Sequence, residues 1–312
     1  MPYATGTANS ATELRDAIVA AATANGWSWD STNSMLYKGI IYGKLTVSGL
    51  RLFVQAALGY SGSTLTTAAN RQVGISDVLT SSGNTPLSYP LTYHIFIHDS
   101  PDDIIVAVNY QVSWWQWLAI GQAVNLGVNG NCMWQWGTTT SDMASGTGVA
   151  VLITGSSAST GYIRTSGAPF WRQNETSGVL ASSIYLDHQG YGWWSQLVSA
   201  SPTAGYGAAA DFPAQTLLAT QPNTWNGEAV LVRCHVMAVQ PSSLWAYVAE
   251  LPHLRFVRND NLNNGQILML GTEKWFTAPV YRKNTASRNK SYGITDSNHS
   301  GTLSMAVRYD GP

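Results

Sequence analysis

His94 and His98 stand four residues apart in YHIFIHDSPDD, with Asp99, Asp102 and Asp103 close behind. Imidazoles and carboxylates in one short segment are the donor types of a metal centre. Strand geometry argues against that chemistry here, because strand residues at i and i+4 lie roughly 13 Å apart. A third ligand from elsewhere does not close that gap, so no metal is expected and polar cross-strand pairs account for the set. Asp187-His188, with Ser182, Ser183 and Ser195, has the residue types of a hydrolase triad. It lacks the Gly-x-Ser-x-Gly elbow that would present a serine nucleophile. Paired carboxylates for glycoside hydrolysis would come from Glu175, Asp187, Asp211, Glu228 or Glu250, and no pair is marked by its setting. Walker A, dinucleotide and zinc spacings are absent. These residues predict a protein that is not an enzyme and carries no cofactor.

The thirteen tryptophans are the stronger signal, and several occur in close sets. Trp114, Trp115 and Trp117 end a ribbon, and neighbouring strand residues point to opposite faces. One of Trp114 and Trp115 therefore faces away from the core. Its partner is a glycan, another subunit, or a second layer of the same chain, since aromatic faces stack on sugars and anchor interfaces.

The elements that position these residues are mainly strands. Thr92–Gln122 forms two strands and the start of a third, with Asp99-Ser-Pro-Asp-Asp as a charged turn. Ile104, Val106, Val108, Tyr110, Val112 and Trp114 alternate with less apolar positions, which predicts one buried face. Ser10-Ala-Thr-Glu13 is a capping box that opens a helix over 11–24, closed by Asn25-Gly26. Segments 61–72 and 80–90 have loop composition. The fold class is mainly β: an antiparallel sandwich or barrel with long loops and one N-terminal α-helix. A main domain over 1–251 and a basic C-terminal β segment over 252–312 would meet at Pro252.

Charged residues are 11% of the 312, against 45% hydrophobic. A net charge of -1 argues against a nucleic-acid partner. Basic residues gather after Pro252, and Arg282, Lys283, Arg288 and Lys290 fall in the polar segment RKNTASRNKSYGITDSN. That segment is expected to reach a neighbouring subunit. MPYATGTANS has no basic region before an apolar core, so no secretory signal is expected, and no apolar run is long enough to insert in a membrane. Cys132 and Cys234 form no disulfide framework. Cys234 reads as a buried, inert thiol, and a bridge between the two stays open.

Three parts of the chain resemble virion structural proteins of tailed bacteriophages. They are PYATGTANSATELRDAIVAAATANGWSW near the start, YPLTYHIFIHDSPDDIIVAVNYQVSWWQWLAIGQ in the middle, and HLRFVRNDNLNNGQILMLGTEKWFTAPVYRKN with NHSGTLSMAVRYDGP at the end. The resemblance implies a structural subunit of a tail tip or baseplate, without catalytic activity. It implies a protein made in the host cytoplasm and built into the virion, assembling with itself as a ring or trimer and with other tail proteins. Low charge and surplus aromatics suit extensive interfaces. The alternative is a receptor-binding module whose Trp and Tyr stack on host-surface glycan, with a depolymerase third.

Overall fold

A computed structural model of the chain describes residues 2–69, 71–80, 83–85, 87–141, 148–150, 182–188, 191–195, 207–210, 229–239, 245–287 and 300–312. The fold is mainly β, with one α-helix near the N-terminus. That helix spans Ala11–Thr23, and the Ser10 hydroxyl caps it by accepting the Glu13 amide at 3.1 Å. The Glu13 carboxylate reaches back to the amide of Asn9, one residue before the cap. Gly26, at φ 81°, takes the left-handed stop that a side chain would resist. Ala11, Leu14, Ile18 and Ala22 form the buried face.

The ribbon comprises Leu91–His98, Asp103–Gln111 and Trp114–Gln122, paired antiparallel in sequence order. It lies within a fourteen-stranded sheet. One end of that sheet is Tyr3–Ala8, beside the ribbon. Beyond the ribbon come Met133–Gly137, Ser182–His188, Tyr191–Ser195, Gly207–Ala210, Val232–Val239 and Trp245–Arg258. Leu303–Tyr309, Glu273–Pro279 and finally Gln266–Leu270 complete the order, and the fourteenth strand, Val124–Asn125, pairs with Trp245–Arg258 off this path. Described pairs are antiparallel except that of Tyr191–Ser195 with Gly207–Ala210. Right-handed twist accumulates across so many strands, and the sheet curls like half a barrel.

Curling explains the main departure from the alternation in the ribbon. One buried face was expected, yet Asp103 to Val108 are all buried. Ile95, Ile97, Ile104, Val106 and Val108 pack towards the helix and a second sheet. Phe96, Ile105 and Ala107 pack in a separate cluster with Leu251, Leu254, Phe256, Phe276, Met305 and Val307 from the far part of their own sheet. Val112 is 99% exposed in the turn, so the apolar alternation ends at Tyr110.

The second sheet runs Gly148–Ala150, Thr139–Ser141, Val73–Ile75, Arg51–Ser61, Ile41–Ser48, Met35–Lys38 and Ser28–Asp30. It crosses the ribbon closely: a Cβ on Gly43 would stand 2.4 Å from Ile120 Cδ1. Segment 61–72 is a loop only in part, because Thr64–Ala68 pairs with Arg51–Ser61 as a mostly exposed strand. Exposure on this edge removes the apolar signal that composition relies on. Pro252 marks no interruption either. The strand Trp245–Arg258 runs through it, bulging against Val232–Val239 between Arg233 and Cys234.

Candidate functional site

The tip of the ribbon carries a group of three histidine and aspartate side chains with the donor types of a metal site. His98 ends one strand and Asp103 begins the next, and the two are cross-strand partners. Their side chains share a face, so His98 Nδ1 meets Asp103 Oδ1 at 2.5 Å. His253, from the far part of the curled sheet, brings its Nδ1 to Asp103 Oδ2 at 2.7 Å. The two imidazoles stack with centroids 4.2 Å apart. Both His98 and Asp103 are only 1% exposed, and His253 is 8% exposed. One donor-type atom from each residue lies within 4.8 Å of the others.

Hydrogen-bond chemistry sets the protonation of this cluster. His98 Nδ1 faces a carboxylate, and its Nε2 faces the Arg308 carbonyl at 3.0 Å. Ionised carboxylates and carbonyls only accept, so both ring nitrogens must donate and His98 is an imidazolium. Burial alone would lower the His98 pKa, but the Asp103 charge and hydrogen bond, helped by the Arg308 carbonyl, outweigh it and raise it. Burial likewise works to raise the Asp103 carboxyl, and the two histidines override it and hold it down at about 2.

The surroundings are built to admit Asp103. Gly121 is its partner on the next strand, and a Cβ there would lie 2.3 Å from Asp103 Cβ. Asp99 and Asp102 turn outward to Lys38, at 2.9 and 2.8 Å. The three turn carboxylates thus have separate tasks, two on a lysine and one between histidines.

His94 takes no part in the cluster, in line with its spacing from His98. Its ring stacks on Trp115 and packs against Phe276, and its Nδ1 is hydrogen-bonded to the Tyr3 hydroxyl, 2.7 Å away. Burial lowers its pKa to about 4, so it is a neutral imidazole. His253 was missed because nothing in the spacing of residues so far apart in the chain announces their meeting. The histidine–aspartate set set aside on distance grounds contained two of the three members.

The other candidates are dispersed. Trp114 and Trp115 do point to opposite faces, and the chain itself covers both. Trp115 is 5% and Trp117 0% exposed, and the Trp117 indole donates to the Pro279 carbonyl at 2.8 Å. Neither presents a free ring to a partner, which corrects their reading as interface anchors. Trp114 is partly buried, with the Arg282 guanidinium 4.7 Å above its ring. Lys283 Nζ donates to the Leu262 carbonyl at 2.8 Å. These two basic residues are engaged within the chain, while Arg288 and Lys290 lie outside the described residues.

Ser182 and Ser183 are buried and Asp187 is exposed, so the described members of the hydrolase set do not converge. The His188 and Ser195 side chains lie outside the described residues, as do Glu175, Asp211 and Glu228. Glu250 sits among Arg233, His235 and Arg255, with no second carboxylate beside it among the described residues. Cys132 and Cys234 are buried thiols with no bridge between them, and burial pushes Cys132 up to about 11. No described helix is long and apolar enough to cross a membrane. The chain matches no protein-family model, and no curated protein matches it.

Proposed function

We propose that the protein is a structural subunit of a tailed-phage tail tip or baseplate, assembling through contacts with further copies of itself. The resemblance of its opening, ribbon and closing segments to virion structural proteins supports the class. One structural observation supports the assembly. The strand Gln266–Leu270 ends the large sheet with a hydrogen-bonded neighbour on one side only among the described strands. It carries Ile267, Met269 and Leu270 at 37, 62 and 52% exposure. Proteins that remain monomeric blunt such an edge with charge, proline or a bulge. Here the edge is apolar, the composition of a surface that becomes covered.

The mass of the purified chain in solution tests this reading. An oligomer is expected, and Met269→Lys should weaken its association by about 1–2 kcal/mol, roughly tenfold. A wild-type chain that stays monomeric at high concentration overturns it. Glycan stacking draws less support, because the Trp115 and Trp117 rings have no open face.

A further inference from the structure

We infer that His98, Asp103 and His253 form a binding site for a divalent first-row transition ion, with Zn²⁺ the best match. Two imidazoles and one carboxylate are a donor set such ions take, and one that Ca²⁺ and Mg²⁺ do not. The three ligands arrive on three strands and are buried, so the side chains are gathered in one place before an ion arrives. His98 is already oriented as a ligand: its Nε2 is taken by the Arg308 carbonyl, leaving Nδ1 as the atom that can bind. A backbone carbonyl on the far nitrogen is the usual outer partner of a metal-bound imidazole. His253 also aims Nδ1 inward, and Asp103 offers one oxygen to each ring.

The fit requires a local adjustment, in which the two stacked rings tilt so that both Nδ1 atoms aim at one ion. Tetrahedral zinc ligands stand roughly 3.3 Å apart. The two N···O pairs, at 2.5 and 2.7 Å, would open by a fraction of an ångström, and the widest separation among the donor atoms, up to 4.8 Å, would close by about 1.5 Å. An ion takes the place of the protons that the two Nδ1 atoms direct at Asp103, as in any site where metal competes with protons for its ligands. Gly121 provides the clearance for Asp103 that such a site needs. Three protein ligands leave a further position for water. Bound there, the ion clamps the ribbon tip to Trp245–Arg258, and through Arg308 to Leu303–Tyr309. This inference is independent of the proposed assembly role.

The test uses the untagged full chain, stripped with chelator and then titrated with Zn²⁺ and Co²⁺. Saturable uptake of one ion, a raised melting temperature and visible Co²⁺ bands of low coordination number are expected. His253→Gln should retain the wild-type circular dichroism spectrum and lose affinity by more than about tenfold. X-ray absorption of the zinc-loaded wild type needs no variant, and two imidazole nitrogens in the first shell are expected. No uptake by the folded wild type overturns the inference, as does a first shell without imidazole. Equal binding by His253→Gln would place the ion elsewhere and overturn it too.

Discussion

His94 shows how burial turns an ordinary residue into a pH-sensitive one. Its imidazole is neutral among Trp115, Phe276 and Tyr3, with a pKa lowered to about 4 from an ordinary 6.5. A depressed histidine pKa means that the unfolded chain binds the proton more readily. Its contribution is therefore intact above pH 6.5 and lost as pH falls from 6.5 towards 4. The loss amounts to about 3 kcal/mol at most. Urea unfolding of wild type and His94→Gln at several pH values checks this: the variant should lose less stability over that window. Parallel curves would show that His94 does not carry the effect. The residues of the ribbon tip were visible in YHIFIHDSPDD, and the separation of His94 from His98 followed from strand rise alone. The third member, His253, was not legible, because a local distance argument says nothing about a strand that returns from 150 residues away.

Two glutamines show the same limit at the level of elements. Gln116 is fully buried, and its amide pairs with both backbone groups of Ser76, at 2.9 and 2.7 Å. Gln135 accepts from the Ala56 amide and donates to the Arg71 carbonyl, each at 2.7 Å. Both side chains extend the hydrogen bonding of the large sheet onto the second one. Replacing Gln116 by Leu leaves a buried N–H and C=O of Ser76 without partners, at about 1–3 kcal/mol each. Denaturant titration of Gln116→Leu should show a loss of about 2–5 kcal/mol, whereas a loss below about 1 kcal/mol would mean that Ser76 finds other partners. The helix, by contrast, was legible almost to the residue, since a cap, an apolar stripe and a glycine stop are local signals. The strand Thr64–Ala68 was not, because an exposed polar edge has the composition of a loop.

At the scale of the whole molecule, the ribbon is the middle layer between the second sheet with its helix and the far part of its own sheet. Amide hydrogen exchange reports this burial. Ile104–Val108 should exchange most slowly, and Gln266–Leu270 should be among the fastest strands in dilute, monomeric protein. Protection of Gln266–Leu270 at high concentration would accompany assembly, and fast exchange in the ribbon would contradict the three-layer arrangement. By itself the sequence determined the β class, the N-terminal helix and the ribbon with its turn. These depend on side-chain period, capping and turn chemistry, which act over a few residues. Only the tertiary structure decided that the ribbon is covered on both faces, that its tryptophans are packed within the chain, and that His253 joins His98 and Asp103. Those outcomes follow from the curl of a wide twisted sheet, which brings distant strands face to face and leaves no trace in local spacing.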